Sequence, residues 1–94
     1  MKYTNILITG GAGFVGSNLA ISIKQDYPKT NIVALDNLKR RGSELNLNRL
    51  KRGGINFLHG DIRNREDVEN SGTFDLIIEC SAEPSVISGF DGTT

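Results

Sequence analysis

The sequence predicts an α/β fold in which strands alternate with helices to build a parallel sheet. Three observations carry this. Short aliphatic and β-branched runs, centred on Ile6-Leu7-Ile8, Ile32-Val33-Ala34-Leu35, Ile55-Asn56-Phe57-Leu58 and Leu76-Ile77-Ile78, are separated by stretches of helical character. Glycine recurs at every third position, Gly10, Gly13 and Gly16, between the first run and the first helix. Asp36 closes the second run, twenty residues after Gly16.

Taken in order, Lys2 to Thr9 reads as a buried parallel strand, aliphatic at its centre. Phe14 to about Gln25 reads as the first helix, with Gly16, Leu19, Ala20 and Ile23 on one face and Ser17, Asn18, Lys24 and Gln25 largely on the other. Tyr27-Pro28-Lys29-Thr30 ends it, because proline and its predecessor both resist helical continuation. Asn31 to Leu35 is the second strand, ending at Asp36, and Asn37 to Gly42 is a basic loop with Lys39, Arg40 and Arg41. Ser43 reads as the N-cap of a helix running to about Arg52, with Leu47 and Leu50 inward and Gly53-Gly54 as the stop. Ile55 to Leu58 is the third strand. Asn64 resembles an N-cap, with Glu66 and Asp67 favouring the helix dipole, and that short helix ends near Gly72. Phe74 to Cys80 is the fourth strand, and Ser81 to Thr94 reads as irregular.

Right-handed crossovers then predict the strand order 3-2-1-4, with helices on both faces: the N-terminal half of a Rossmann-like sheet. Its switch point falls between strands one and four. A strand feeding a glycine turn that opens a helix is a phosphate-binding device, because unpaired N–H groups and the helix dipole converge on one spot. One glycine turns the chain, one lets backbone approach a pyrophosphate, and one packs helix on strand. Gly11, Gly13 and Gly16 fit the related G-x-G-x-x-G spacing as well. A P-loop is excluded, since no Lys-Ser or Lys-Thr follows the glycines.

Asp36 is the most informative side chain. A carboxylate at that strand end accepts from both adenosine ribose hydroxyls and repels a 2′-phosphate; two like charges about 4 Å apart at an effective dielectric of 20 cost ~4 kcal/mol. Arg40 and Arg41 argue the other way, since basic residues there bind the phosphate of NADP. The balance favours NAD. Asp61 and Ile62 leave the third strand where the chain passes the adenine edge, the carboxylate placed to accept from the exocyclic amine and Ile62 to pack on the ring. Ser81 and Ala82 lie across the switch point, where small residues admit the ribose and nicotinamide end. The blander reading of each is a strand-end or loop residue. His59 and Cys80 make no zinc site between them, and no catalytic residue or metal ligand is expected.

Eleven basic and eleven acidic side chains cancel, leaving no global field to draw nucleic acid or an anionic membrane. The single Cys80 allows no internal disulfide and suits a reducing cytoplasm. Met1 is followed almost at once by a strand, which argues against a signal peptide, and no apolar run is long enough to span a bilayer. A cytoplasmic protein is expected.

Three runs together, Thr9-Gly10-Gly11-Ala12-Gly13-Phe14-Val15-Gly16-Ser17-Asn18-Leu19, Asp36-Asn37-Leu38 and Gly60-Asp61-Ile62-Arg63, resemble the extended short-chain dehydrogenase/reductases, the NAD-dependent nucleotide-sugar epimerases and dehydratases. The resemblance implies that Gly10, Gly13 and Gly16 meet the pyrophosphate and that Phe14 and Val15 supply backbone donors. It also implies that Asp36, with Asn37 beside it, takes the adenosine ribose, and that Asp61 with Ile62 takes adenine. Where most members carry His-Leu-Ala-Ala on the fourth strand this chain reads Glu79-Cys80-Ser81-Ala82, and the run from Glu79 to Val86 looks like the CDP-paratose 2-epimerase subgroup. The family's Tyr-x-x-x-Lys pair has no counterpart, since Leu7 and Asn31 stand four residues after Tyr3 and Tyr27.

Residues 1–94 are therefore expected to be the N-terminal part of an NAD-binding domain, with the remainder and a nucleotide-sugar substrate domain absent. The rivals are a catalytically inactive module that senses NAD or holds a protein, and an ordinary NADPH reductase. Strand four, with Leu76 and Ile78 on one face and Ile77 on the other, would leave an apolar edge, so a homo-oligomer is expected.

Overall fold

The computed structural model describes residues 3–40, 42–61, 63–70 and 72–80. Four parallel strands, β1 (Asn5–Thr9), β2 (Asn31–Asp36), β3 (Asn56–His59) and β4 (Leu76–Glu79), form one sheet in the order β3-β2-β1-β4. The crossovers are α1 (Phe14–Asp26), a 3-10 helix (Ser43–Asn46) continuing into α2 (Leu47–Arg52), and α3 (Arg65–Asn70). The strand order is the one the sequence predicts. Register places Leu35 and Glu79 on either side of Thr9, and His59 opposite Asp36, so all four strands end at one edge.

Strand alternation sorts the core into two faces. Ile6, Ile8, Ile32 and Ala34 join Ala12, Ala20, Leu50 and Ile55 in one buried cluster, with Leu76 and Ile78 packed against it. The helices α1 and α2 cover this face and touch each other. Leu7 and Leu35, also buried, point the other way. There Gly60, at the exit of β3, fits between Leu35 and Asp67 of α3: a β-carbon would stand 2.8 Å from Leu35 Cδ1 and 3.2 Å from Asp67 Cβ. Helices thus lie on both faces. On this second face Ile77 of the edge strand β4 remains 54% exposed.

Local chemistry sets the ends of the elements. α2 closes with Gly54 at φ +79, Ile55 N–H donating to the Leu50 carbonyl and Gly54 N–H to that of Lys51. This is a Schellman closure whose apolar contact is Leu50 with Ile55. It holds the Ile55 amide in the helix end, so β3 starts at Asn56, one residue later than predicted. α3 is capped as expected, Asn64 Oδ1 accepting from the N–H groups of Glu66 and Asp67 at 3.0 and 3.3 Å.

Three expectations fail. Ser43 is no N-cap: Gly42, at φ +88, occupies that position, no side chain caps the helix, and Ser43 is buried. The expected single helix is instead a 3-10 turn followed by a short α-helix. Ser17, assigned to the polar face of α1, is fully buried, its hydroxyl 3.4 Å from the Phe14 carbonyl it donates to. A small hydroxyl that bonds back to its own helix can be buried without an outside partner.

β1 begins at Asn5, where Asp75 takes the amides of Thr4 and Asn5. The Asp75 carboxylate accepts from Thr4 N–H and Asn5 N–H at 2.9 Å each and from the Thr4 hydroxyl at 3.1 Å, tying the start of β1 to the approach of β4. Those backbone donors, Thr4 before Asn5, hold its carboxyl below the ordinary carboxylate value. A depressed folded-state value means stability that is present above the unfolded value, near pH 4, and lost as pH falls through the folded one. Melting temperature should therefore fall more steeply between pH 5 and pH 2.5 in the wild type than in Asp75→Ala, the two curves converging at the acid end. Parallel curves would show that the clamp adds no pH-dependent stability.

Candidate functional site

The carboxyl ends of β1, β2 and β3 converge on the turn Gly10–Gly13. Gly10 sits at φ +68, a left-handed conformation suited to glycine, and turns the chain out of β1. Gly11 lies flat on β2: a β-carbon there would fall on Ala34 Cβ, and its N–H donates to the Leu35 carbonyl at 3.2 Å. Gly16 is pressed onto the turn, where a β-carbon would strike the Gly10 carbonyl oxygen and come within 2.9 Å of its carbon. Gly13 differs from both. Its φ of −73 and ψ of 174 suit any residue, and a β-carbon would meet only the Gly10 oxygen, at 3.3 Å. Internal packing therefore requires Gly11 and Gly16, while a side chain at Gly13 would crowd the Gly10 oxygen and otherwise face open space.

From Gly13 the chain enters α1, whose first turn has no side-chain cap and no acidic residue. No acidic side chain of α1 itself therefore meets the positive end of this thirteen-residue helix. Phe14 and Val15, 79% and 64% exposed, flank it.

Asp36 meets this turn from β2. Its Oδ2 accepts from Ala12 N–H at 2.9 Å and its Oδ1 from Leu38 N–H at 2.8 Å, which fixes the carboxylate's plane and leaves each oxygen a further lone pair. Leu38 adopts φ +59 to make its bond, unusual for a leucine, with its side chain packed on the core cluster. Asn37 links two strand ends: its Nδ2 donates to Asp61 Oδ2 at 3.3 Å, and its carbonyl lies 3.2 Å from His59 Nε2.

Asp61 is paired within the chain. Arg63 donates to it from Nη2 at 2.9 Å, from Nε at 3.2 Å and from its backbone N–H at 2.9 Å. The Arg63 side chain, followed by its amide, holds the Asp61 carboxyl well below the usual carboxylate range and raises the Arg63 guanidinium in turn. At the switch point the buried Thr9 hydroxyl donates to Glu79 Oε1 at 2.6 Å, and Cys80 N–H donates to the Thr9 carbonyl at 2.9 Å. Burial, then the neighbouring Glu79, pushes the Cys80 thiol up, away from nucleophilic use.

The structure therefore brings Gly10, Gly13, Phe14, Val15, Gly16, Asp36, Asn37 and Asp61 to one edge of the sheet. Ile62, Ser81 and Ala82, and the basic Arg41, lie outside the described residues. Among the described residues no three His, Cys, Asp or Glu side chains are grouped to hold a metal, and no helix is long and apolar enough to cross a membrane. One feature has no counterpart among the expected residues. Asn46, from the 3-10 helix, donates to the Ala12 carbonyl at 2.6 Å, and Arg49 joins it to Asn18 on α1.

Residues 6–92 match the model of the NAD dependent epimerase/dehydratase family. The chain is 48% identical over 65 residues to CDP-paratose 2-epimerase of Salmonella typhi, covering 67% of this chain and 18% of that protein. It is 32% identical over 89 residues to human dTDP-D-glucose 4,6-dehydratase, covering 90% and 25%. Its structure resembles that of dTDP-glucose 4,6-dehydratase from Bacillus anthracis in complex with NAD, with a TM-score of 0.75 and 33% identity over 94% of this chain and 29% of that one. The chain thus spans less than a third of the length of these relatives.

Proposed function

The chain belongs to the NAD-dependent epimerase/dehydratase family, and from that premise we propose that it is the cofactor-binding part of a nucleotide-sugar epimerase or dehydratase. The observation that carries this reading is the glycine turn, packed tight at Gly11 and Gly16 and open at Gly13, running into the uncapped start of α1 with Asp36 tied to its centre. Such a cradle suits a dinucleotide. The amides of Phe14 and Val15 would receive the pyrophosphate, and the free lone pairs of Asp36 would take the adenosine ribose hydroxyls.

Adenine would lie toward Asn37 and Asp61. Asp61 is held ionised by Arg63, whose side chain and amide, with Asn37, already donate to both its oxygens, so an exocyclic amine would bind there by displacing one of these donors. Ile62 beside it, and Ser81 and Ala82 toward the nicotinamide, complete the assignment by position in the chain. Bound NAD supplies a reversible hydride acceptor for a sugar carbon, the transient oxidation from which epimerisation or loss of water follows. This chain's residues bind and orient it. No tyrosine here is followed by lysine at the fourth position, so the family's proton-transfer pair is not among these 94 residues. The names of the similar proteins, a CDP-sugar epimerase and dTDP-sugar dehydratases, support the substrate class.

Calorimetric titration with each cofactor tests the reading. NAD should bind at least about tenfold more tightly than NADP, the ratio that 1.4 kcal/mol provides. That is well within the repulsion a carboxylate exerts on a 2′-phosphate. Equal or tighter NADP binding would give the loop arginines, Arg40 foremost, control of the ribose site; no binding of either would remove the assignment.

A further inference from the structure

We infer that Asn46 and Arg49 are positioning residues for the phosphate turn, bracing it from outside the glycine motif so that the first amides of α1 are held at a pyrophosphate. The inference rests on the dinucleotide reading above and extends it to two side chains that the glycine pattern and Asp36 do not reach.

The peptide between Ala12 and Gly13 is the last unit before α1, and both its polar groups are bound inside the protein. Its carbonyl accepts from Asn46 Nδ2 at 2.6 Å, and its N–H, on Gly13, donates to the Gly10 carbonyl at 3.0 Å. The preceding N–H, on Ala12, goes to Asp36 at 2.9 Å. Asn46 therefore completes a clamp whose other jaw is Asp36, and it comes from a different crossover.

Asn46 is itself held. Arg49 Nη1 donates to Asn46 Oδ1 at 3.1 Å, which fixes the amide so that its Nδ2 faces Ala12. Arg49 Nη2 donates to Asn18 Oδ1 at 2.8 Å, and Asn18 Nδ2 donates to the Phe14 carbonyl at 2.8 Å. The chain of bonds thus leaves the turn at Ala12, passes through the second crossover and returns to α1 at Phe14. It spans the two residues between which the chain passes from turn to helix, Gly13 and its successor. A guanidinium with one bond on each terminal nitrogen suits this bridging role better than an ammonium, which lacks the planar fork.

A brace of this kind acts on the phosphate contacts and leaves the adenosine end, at Asp36 and Asp61, largely alone. A residue that only stabilises the fold would affect both alike. The full chain should be titrated with NAD and, separately, with adenosine, followed through the amide resonances of Phe14 and Val15 and those around Asp61. Asn46→Ala should weaken NAD about tenfold, the amount a lost, partly buried hydrogen bond provides, and adenosine less than twofold. Arg49→Ala and Arg49→Lys should each weaken NAD about threefold, the lysine failing to rescue because charge alone does not bridge two amides.

Unchanged NAD affinity in Asn46→Ala, or equal loss of NAD and adenosine, would overturn the inference. If Asn46→Ala fails to fold, the exposed Arg49 decides: wild-type NAD affinity in Arg49→Ala overturns it, and selective loss upholds it. A wild-type chain that binds adenosine but not NAD would instead remove the dinucleotide reading on which the inference stands.

Discussion

Gly13→Val is expected to abolish NAD binding while the chain still folds, and Gly16→Ala, the smaller change, is expected to unfold it. At Gly13 the backbone already lies where any L residue can sit, and the one neighbour a β-carbon meets is the Gly10 oxygen at 3.3 Å. Valine there is a poor N-cap and crowds one carbonyl, for a cost of about 1 kcal/mol and a fall of roughly 4–8 °C in melting temperature for a domain this small. Its branches enter the open side, where the pyrophosphate would lie. At Gly16 a single methyl group strikes backbone, the Gly10 carbonyl and, at 3.0 Å, Gly11 Cα. No flexible side chain is there to yield. Forcing the helix off the turn costs about 3 kcal/mol or more, a large share of the 5–15 kcal/mol that holds a domain together. Circular dichroism melts and NAD titration on both variants separate the roles. A Gly13→Val chain that binds NAD normally would reduce the glycines to a turn; a Gly16→Ala chain as stable as wild type would contradict the packing.

What could be read in the sequence was whatever depends on short-range pattern. Ile6, Ile8, Ile32 and Ala34 alternate with Leu7 and Leu35 because both faces of a parallel strand are buried, and the glycine spacing with Asp36 is set by a turn that must fit between two strands. The order β3-β2-β1-β4 followed from right-handed crossovers together with the doubly wound pattern that the glycine turn and Asp36 signal. What could not be read depends on where distant segments meet. Ser43 carries an N-cap residue's chemistry, yet Gly42 at φ +88 delivers the chain into a 3-10 turn and takes the cap position. Asn46 looks like one more polar residue of a helix; its partner, the Ala12 carbonyl, is 34 positions away. The position of Asp61 after β3 points to adenine, but only the structure shows Arg63 and Asn37 already on its oxygens. Helical periodicity puts Ser17 on the polar face of α1, yet it is buried with its hydroxyl turned back to the Phe14 carbonyl.

Asp36→Asn is expected to bring the affinities of the chain for NAD and NADP about tenfold or more closer together, mainly by weakening NAD. The carboxylate has two tasks. Within the protein it accepts from Ala12 N–H and Leu38 N–H, one on each oxygen, and Ala12 is fully buried. Toward a nucleotide, its remaining lone pairs would accept from two ribose hydroxyls, bonds to a charged group worth about 1.5–3 kcal/mol each. Asparagine keeps one oxygen and the shape. It can still serve one of the two backbone donors, but its amide nitrogen offers a hydrogen where the other oxygen accepted. At least one ribose bond is lost with the charge, a loss of NAD affinity on the order of tenfold to a hundredfold. The same change lifts the repulsion of a 2′-phosphate, which Arg40 on the following loop would attract. NADP should hold steady or gain while NAD weakens. Asp36→Ala distinguishes the two tasks: by leaving the buried Ala12 N–H without a partner it should also destabilise the turn by about 1–3 kcal/mol, which Asp36→Asn largely avoids. Titration of both variants with both cofactors, beside their thermal melts, decides the matter. Should the NAD to NADP ratio stay at its wild-type value in Asp36→Asn, the carboxylate would serve only to pin Ala12 and Leu38, and discrimination between the cofactors would lie elsewhere in the site.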